Sequence, residues 1–354
     1  MNSEYRYVIG LMSGTSLDGL DIVYVKFSMS SMCKYQIIYS ETVKYRQGLK
    51  QKLATGISKS KTELSIFNIE YGKFLGEKVN AFIEKFKIEN VEFVASHGHT
   101  ILHQPDKGIT LQIGCGQKIS NVTGLKVVSD FRTQDVQMGG QGAPLVPIGD
   151  ELLFSNFDAC LNLGGFANIS FKTNNLRIAF DICPVNIVLN KYVSFFNVEF
   201  DDKGEYASKG KIEEGLLAAL NELSYYEEVA PKSLGLEWVQ EEVFPLIDRC
   251  NLNIYDVLRT FVEHIAIQIA VIVKDIDAVL VTGGGAFNLF LMQRIKALSA
   301  AKIVIPEKQV VDYKEALIFA FLGVLRVDNQ VNCLSSVTGA SRDHSSGQIC
   351  TPEK

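Results

Sequence analysis

Short apolar runs separated by polar turns predict an α/β fold. The first run covers residues 7–25 and is interrupted only by the polar segment 13–19, which predicts two strands joined by a turn. A second hairpin of the same kind is predicted over 158–171, around Gly164 and Gly165. Two hairpins of one design predict a duplicated architecture.

The rest of the chain alternates between strand and helix patterns. Further strands are predicted at 35–43, 91–95, 125–130, 178–181 and 278–281. Apolar residues at helical spacing predict helices at 64–86, 212–223, 255–273, 288–297 and 316–325. This alternation predicts mixed sheets flanked by helices. The small, polar segment 335–347 is expected to form a surface loop or a frayed end.

The length of 354 residues predicts two lobes, because single cores stop growing at about 250 to 300 residues. We expect an N-terminal lobe formed by 1–125 together with about 330–354. The C-terminal lobe would cover 126–329, with a more polar insertion at about 201–245. A ligand cleft is expected between the lobes.

Composition narrows the class of ligand. The chain has 35 basic and 40 acidic residues, so it offers no basic field for nucleic acid or an anionic membrane, and a small molecule is favoured. The seven cysteines are widely spaced without a C-x-x-C pair, which argues against a disulfide framework and predicts a cytoplasmic protein. The longest apolar run, 316–325, is too short to cross a bilayer.

The first turn has the composition of a phosphate-binding loop. It contains Ser13, Gly14, Thr15, Ser16, Leu17, Asp18 and Gly19, with Asp21 following in the next strand. The glycines allow backbone N–H groups to turn inward, and the hydroxyl groups add donors. Asp18 and Asp21 are candidate ligands for a metal ion beside the phosphate. The alternative is an ordinary hairpin whose glycines serve only the turn.

Three other segments place polar groups at strand ends. Gly283, Gly284 and Gly285 follow a buried strand and precede a helix, where backbone can approach a nucleotide. His97, His99 and His103 follow the strand at 91–95; a zinc site lacks a nearby completing ligand, so hydrogen bonding is favoured. Asp181 ends a strand, and its alternative role is to cap the helix that follows.

Taken together, these motifs resemble the anhydro-N-acetylmuramic acid kinases of the actin-like ATPase superfamily. The resemblance spans nearly the whole chain and rests on segments 10–19, 96–100, 130–132, 139–144, 162–165, 231–233, 281–285 and 314–316. It implies two actin-like, ribonuclease H-like lobes, ATP and Mg²⁺ as cofactors, and a homodimer. It also implies hydrolytic opening of the 1,6-anhydro ring of an amino sugar with phosphorylation of O6, in peptidoglycan recycling.

The resemblance also assigns residues to roles. Asp181 would be the catalytic base. The nucleotide would be bound by the first turn, Ser13 to Gly19, and by Asn162, Gly164, Gly165, Gly283, Gly284 and Gly285. The sugar would be bound by Ser13, His97, Arg132, Asp181 and Glu315. Arg132 is the candidate partner of the sugar's lactyl carboxylate, because a guanidinium grips a carboxylate with two hydrogen bonds.

Each sugar-binding candidate has a structural alternative. Arg132 has a nearby acid, Asp135, with which it could form a surface ion pair. His97 could be a buried histidine satisfied by backbone. Asp312 and Glu315 have the spacing of an N-cap residue and its N3 acid.

The segment after Asp181 departs from the family pattern of Thr-Gly-Pro, a small residue and Asn. Here Ile182, Cys183 and Val185 replace a hydroxyl, a glycine and a small residue. A kinase of another small sugar or acid, or a weakened nucleotide-binding homologue, therefore stays open. A chaperone-type ATPase is disfavoured for lack of a peptide-binding domain. A dehydrogenase is disfavoured because the first glycine turn leads into a strand.

Overall fold

The chain divides into two units. A computed structural model describes residues 4–14, 16–30 and 34–353. The first unit consists of residues 1–155 and 313–354, and the second consists of residues 156–312.

The first unit combines seven strands with helices, within the described ranges. Its strands are β1 (Tyr5–Ser13), β2 (Gly19–Ser28), β3 (Tyr35–Lys44), β4 (Phe93–Gln104), β5 (Ile109–Ile113) and β6 (Lys126–Ser129), with β12 (Gln348–Cys350) at the C-terminal end. Its helices before residue 155 are α1 (Gln47–Ala54), α2 (Lys61–Phe86), α3 (Gly116–Thr123), α4 (Thr133–Gln137) and α5 (Val146–Leu153). A capping box between Ser60 and Glu63 starts α2.

The first sheet has the order β12-β6-β4-β1-β2-β3, with β5 paired to β4. β1, β2 and β3 form an antiparallel meander, whereas β4 lies parallel to both β1 and β6. Leu75, Val79 and Phe82 of α2 are buried in one core with Ile9 and Leu11 of β1. The apolar spacing along α2 is thus explained by its packing on this sheet.

The second unit repeats the arrangement with five strands, within the described ranges. These are β7 (Ala159–Leu163), β8 (Phe166–Thr173), β9 (Leu176–Pro184), β10 (Ala278–Thr282) and β11 (Lys302–Val304). Its helices are α6 (Asn186–Val193), α7 (Glu214–Asn221), α8 (Leu236–Trp238), α9 (Phe244–Arg249), α10 (Ile254–Ile272) and α11 (Leu289–Leu298). Asn253 caps α10 and Asn288 caps α11 through their side chains.

The second sheet has the order β11-β10-β7-β8-β9. β7, β8 and β9 form an antiparallel meander, and β10 lies parallel to both β7 and β11. This is the same order and direction as β6-β4-β1-β2-β3 in the first unit. The duplicated α/β architecture predicted from the two hairpins is confirmed.

Three parts of the chain differ from the sequence prediction. β4 does not end at residue 95 but continues to Gln104. Helix α12 (Lys308–Val327) begins eight residues before the predicted start at 316. β6 pairs with β4, so the change of unit follows Ser155 rather than residue 125.

The C-terminal segment is not a frayed end. It contains the short helix α13 (Ser335–Thr338), and β12 pairs with β6. Thr338 and Ser346 are almost fully buried. Asn332 holds the segment together, because its Nδ2 donates to the Ser346 carbonyl at 2.9 Å and its Oδ1 accepts from the Ser346 N–H at 2.7 Å.

The described cysteines are free thiols, as the wide cysteine spacing predicted; Cys33 lies outside the described residues. No helix in the described part of the chain is both long enough and apolar enough to cross a bilayer.

Candidate active site

The described residues that connect β1 and β2 are half-buried or exposed. Ser16 and Asp18 are exposed, and the Leu17 N–H donates to the Gly14 carbonyl at 3.3 Å. Thr15, a predicted nucleotide-binding residue, lies outside the described residues. At Gly19, a Cβ atom would lie 2.7 Å from the Val43 carbonyl oxygen, so the close pairing of β2 with β3 requires glycine.

Ser13 lies at the buried end of β1, and its hydroxyl is already engaged by protein groups. It is hydrogen-bonded to the Tyr45 hydroxyl at 2.6 Å and to Nδ1 of His99 at 2.9 Å. The Tyr45 hydroxyl in turn bonds the Tyr71 hydroxyl at 2.7 Å. Burial lowers the pKa of His99 to about 4, so the ring is neutral at physiological pH. Ser13 thus lies between Tyr45 and His99 in a buried polar chain that extends to Tyr71.

Asp18 fits the role of a magnesium ligand better than Asp21 does. The Asp18 carboxylate is exposed and makes no hydrogen bond or ion pair to the described residues. Asp21 lies within β2, where its Oδ1 accepts from the Thr42 hydroxyl at 2.6 Å. Protein-bound Mg²⁺ keeps several water ligands and is bound by one or two carboxylates together with phosphate oxygens. Asp18 alone would therefore be a sufficient protein ligand at this turn.

In the second unit, the two glycine turns meet at one sheet edge. β7 and β10 are adjacent and parallel, with Asn162 opposite Thr282, so the turns that follow them lie together. Gly283 has φ of 83°, and a Cβ there would lie 2.6 Å from Asn162 Oδ1. Gly285 and Gly164 border the same edge, whereas a Cβ at Gly284 would meet no heavy atom closer than 3.9 Å.

The N-terminus of α6 closes this edge. The Asn186 N–H donates to the Gly164 carbonyl at 3.3 Å, and the Val185 N–H donates to the Gly165 carbonyl at 2.8 Å. The Asn186 side chain donates to the Leu163 carbonyl at 3.3 Å. All six nucleotide-binding residues predicted in this unit are therefore brought together.

Asp181 lies within β9, three residues before its end, and is half-buried. Its Oδ2 accepts the Leu234 N–H at 2.9 Å, and its Oδ1 makes no hydrogen bond to the described residues. Burial raises the pKa of Asp181, and the Leu234 N–H opposes that rise. The alternative role as a helix cap is wrong, because Val185 is the N-cap of α6 and makes no side-chain cap.

A segment of the predicted insertion holds Asp181 in place. The Tyr225 hydroxyl donates to the Asp181 carbonyl at 2.6 Å, and the Asp181 N–H donates to the Lys232 carbonyl at 3.2 Å. Lys232 Nζ donates to the Tyr225 carbonyl at 2.9 Å and lies 4.4 Å from the centre of the Tyr225 ring. Together with the Leu234 N–H, these contacts fix both the backbone and one carboxylate oxygen of Asp181.

In the first unit, Arg132 and His97 form a direct pair. Arg132 Nε donates to His97 Nε2 at 3.0 Å, and Arg132 Nη1 donates to the Gly142 carbonyl at 2.6 Å. The Arg132 Nη2 group makes no hydrogen bond to the described residues. The proposed ion pair with Asp135 is wrong, because Asp135 is fully buried and its carboxylate binds the Gly142 N–H and the Thr338 hydroxyl instead.

Glu315 completes this group from helix α12. Burial lowers the pKa of Arg132 to about 10, and the negative charge of Glu315 opposes this effect. One turn further along α12, the ring of Phe319 lies 4.5 Å from that of His97. The capping role for Glu315 is wrong, because α12 begins at Lys308 and both Asp312 and Glu315 lie inside it.

The three histidines do not form a zinc site. His97 is bonded to Arg132, His99 to Ser13, and His103 to the Thr110 hydroxyl at 3.1 Å. Each ring is thus used separately, which agrees with the predicted hydrogen-bonding role.

Known proteins resemble this chain over nearly its whole length. A family model described as anhydro-N-acetylmuramic acid kinase matches residues 6–352. The chain belongs to the anhydro-N-acetylmuramic acid kinase family. A curated relative of that name from Sulfurovum sp. is 35% identical over 97% of this chain and 98% of its own length. The Haemophilus influenzae relative is 34% identical, over 99% of both chains.

A solved structure, component A of the (R)-2-hydroxyglutaryl-CoA dehydratase of Acidaminococcus fermentans, matches with a TM-score of 0.48 at 13% identity. It covers 89% of this chain and 96% of that chain.

The residues after Asp181 that differ from the anhydro-N-acetylmuramic acid kinase pattern pack in the hydrophobic core. Ile182, Cys183 and Val185 are buried in the hydrophobic cluster of the second unit. Burial raises the pKa of the Cys183 thiol, which keeps it neutral. These three side chains therefore pack inward, and the polar contacts of Asp181 come from the 225–234 segment.

The sequence alone does not indicate that Tyr225 and Leu234 contact Asp181. Leu234 acts through its backbone N–H, which no side-chain pattern reveals. Tyr225 lies 44 residues from Asp181 in sequence. The available signal was the Pro-Lys-Ser triplet at 231–233, which the family resemblance includes but which had no assigned role.

Proposed function

We propose that this chain uses ATP to phosphorylate O6 of 1,6-anhydro-N-acetylmuramic acid while water opens the anhydro bridge, which gives N-acetylmuramic acid 6-phosphate and ADP. Two findings support this proposal. The chain belongs to the kinase family named for this sugar, over residues 6–352. The observation that carries the proposal is the state of Asp181, a half-buried carboxylate with one anchored oxygen and one free oxygen.

The free Oδ1 of Asp181 is suited to general-base catalysis. In the proposed step, the water oxygen forms a bond to C1, the C1–O6 bond breaks, and a water proton moves to Asp181. Burial raises the pKa of Asp181, which makes the carboxylate a stronger base than an exposed one. Such a base contributes about 10²- to 10⁴-fold to a rate.

The released O6 would then attack the γ-phosphate, and the β–γ bridging oxygen would leave with ADP. Phosphoryl transfer needs mainly positioning and charge stabilisation. We assign the phosphates to the turn from Ser13 to Gly19, where Ser16 is exposed and the glycines allow backbone N–H groups to face a ligand. A bound Mg²⁺ would neutralise charge on the phosphate oxygens, with Asp18 as its protein ligand. The nucleoside is assigned to the edge formed by Gly164 and Gly283 to Gly285.

Arg132 is assigned to the lactyl carboxylate of the sugar. Its Nε and Nη1 groups are held by His97 and Gly142, which fixes the plane of the guanidinium. Both N–H donors of its Nη2 group are therefore available to a ligand. A charge-assisted hydrogen bond from this position would recognise the acidic sugar and would orient the anhydro ring.

The packing after Asp181 argues against the alternative hypothesis, in which Ile182 and Cys183 at positions of the family pattern weaken the enzyme. These side chains pack in the core, whereas the Asp181 carboxylate is anchored by the Leu234 N–H. We further propose a cytoplasmic homodimer that acts in peptidoglycan recycling. Free thiols support the cytoplasmic location, and sedimentation at several protein concentrations tests the dimer.

Incubation with Mg-ATP and the anhydro sugar in ¹⁸O-labelled water tests the reaction. Mass spectrometry should find a phosphorylated sugar that carries the label at C1. A phosphorylated product without label would contradict water attack at C1, and no phosphorylated sugar at all would contradict the kinase activity.

Asp181→Asn tests the base. It should abolish sugar-dependent ADP release and leave ATP binding nearly unchanged. Asp275→Asn is the matched control, because Asp275 is exposed on the same unit. Full turnover by the Asp181 variant would remove Asp181 from the role of base.

A further inference from the structure

Asp135, Cys333 and His344 form a buried cluster in the first unit that the proposed reaction does not use. Their exposed fractions are 0% for Asp135, 2% for Cys333 and 7% for His344. A carboxylate oxygen, a sulfur and an imidazole nitrogen from these residues all lie within 4.8 Å of one another. Oxygen, sulfur and nitrogen donors in one small space are the ligand types of a zinc site.

The backbone places Cys333 and His344 side by side. The Cys333 N–H donates to the His344 carbonyl at 3.1 Å, and the His344 N–H donates to the Cys333 carbonyl at 3.2 Å. Residues that exchange both hydrogen bonds in an antiparallel bridge project their side chains on the same side. The bonds between Asn332 and Ser346 hold the same two segments in register.

Asp135 lies on α4, and two hydrogen bonds orient its carboxylate. Oδ2 accepts the Gly142 N–H at 2.7 Å, and Oδ1 accepts the Thr338 hydroxyl at 2.8 Å. An ionised oxygen has more than one lone pair, so Oδ1 retains acceptor capacity toward the cluster. Ligating carboxylates in metal sites are commonly hydrogen-bonded in this way.

The His344 ring has the orientation of a metal-binding histidine, with one nitrogen hydrogen-bonded to the protein and the other facing the cluster. Its Nδ1 is 3.2 Å from the Arg342 carbonyl, and a carbonyl only accepts, so Nδ1 carries the proton. The lone pair of Nε2 then faces the cluster, 3.5 Å from Asp135 Oδ1, and Nε2 makes no hydrogen bond to the described residues. A metal-ligating histidine typically donates its other N–H to a carbonyl or a carboxylate.

We propose that Asp135, Cys333 and His344 bind a zinc-type divalent cation through Oδ1, Sγ and Nε2, with a water molecule in the fourth position. Binding would convert the Cys333 thiol to a thiolate and release its proton to solvent. The thiolate and the carboxylate would then balance the two charges of the ion. The proposed reaction does not use this site, although Asp135 binds the N–H of Gly142 and the carbonyl of Gly142 holds Arg132.

A rival arrangement is a protonated His344 that pairs with Asp135, beside a neutral thiol. Burial and the charge of Asp135 raise the pKa of Cys333 to about 12, so without a bound cation the thiol keeps its proton. The two arrangements therefore differ in the state of sulfur. Only the metal site contains a thiolate bonded to the ion.

Cobalt(II) is the probe, because a thiolate bound to Co²⁺ gives a near-ultraviolet charge-transfer band. Titration of the chelator-treated full chain should produce this band and saturate at one equivalent, and added Zn²⁺ should remove it by displacing cobalt. No thiolate band at saturating Co²⁺ would overturn the proposal. A histidine NMR signal that shows both His344 nitrogens protonated and unchanged by metal would overturn it as well.

Cys333→Ser identifies the sulfur. It should lose the band and weaken Zn²⁺ affinity by about 100-fold or more, since even changes to groups that only orient a metal ligand cost about 10- to 100-fold. Cys250→Ser is the matched control and should keep the band, because Cys250 is an exposed free thiol. Near-ultraviolet circular dichroism checks that both variants fold. A band that survives in Cys333→Ser, or wild-type Zn²⁺ affinity in a folded His344→Gln variant, would refute the site.

Discussion

Arg132 donates its Nε–H to Nε2 of His97 at 3.0 Å, and this bond fixes the protonation state of the histidine. Because Nε2 accepts, the ring proton belongs on Nδ1, which faces the Gly98 carbonyl at 3.0 Å. Burial and the charge of Arg132 both hold the pKa of His97 well below its usual range. His97 is therefore a neutral support for a fixed guanidinium.

Arg132→Lys should raise the KM for the anhydro sugar about 10- to 100-fold, since one charge-assisted hydrogen bond is worth about 1.5–3 kcal/mol. Lysine lacks the planar fork that His97 and Gly142 hold in place. Steady-state kinetics should show an unchanged KM for ATP.

A sugar analogue without the lactyl group sharpens this measurement. Wild-type enzyme and Arg132→Lys should have similar KM values for that analogue, because the carboxylate is missing. Arg249→Lys, on an exposed residue of the second unit, is the control. An equal loss with both sugars would mean that Arg132 supports the fold and does not recognise the carboxylate.

The sheets were predictable because their signals are local. Apolar runs and glycine turns indicated both hairpins, and the helix predicted at 288–297 is observed at Leu289–Leu298. β4 was predicted too short because His97 and His99 are polar. Their hydrogen bonds to Arg132 and Ser13 satisfy the buried rings, and these partners are distant in sequence.

Two sequence patterns are each compatible with two different local structures, and in both cases the sequence prediction is wrong. Asp312 and Glu315 have the spacing of a capping box, yet the helix continues back to Lys308. The small, polar residues 335–347 resemble a frayed end, yet the backbone bridge between Cys333 and His344 and the Asn332 side chain hold part of them in the fold. In both cases tertiary contacts decide between the alternatives.

The pH dependence of turnover should report the buried state of Asp181. A base must be deprotonated, so kcat/KM should fall as pH drops through its pKa. Because burial raises that pKa above the ordinary value of 3.8, the fall should begin at a higher pH than for an exposed aspartate. A pH–rate profile measures this. An acid limb at or below the ordinary value would contradict the burial argument.

Tyr225→Phe should lower kcat and leave the KM for ATP unchanged. The variant removes the hydroxyl that donates to the Asp181 carbonyl at 2.6 Å, so the carboxylate is less well positioned. The loss of one such bond should also cost about 1 kcal/mol of stability. Tyr255→Phe is the matched control in the same unit, because the Tyr255 hydroxyl makes no hydrogen bond to the described residues. Equal kcat values for the two variants would rule out a positioning role.

Gly283→Ala and Gly284→Ala should differ sharply, although the two glycines are neighbours. At Gly283 the added Cβ would meet Asn162 Oδ1 at 2.6 Å and the Leu163 carbonyl oxygen at 2.8 Å, with φ at 83°. Strain of this kind costs about 1–3 kcal/mol, so the second unit should melt at a lower temperature. The two turns should also separate, which should raise the KM for ATP.

At Gly284 the nearest atom is 3.9 Å from the added Cβ, so the fold should be nearly unchanged. Thermal unfolding and ATP kinetics on both variants measure the difference. If Gly284→Ala alone raises the KM for ATP while both variants keep wild-type stability, then the ligand lies against Gly284 and the packing of Gly283 on Asn162 does not control the nucleotide edge.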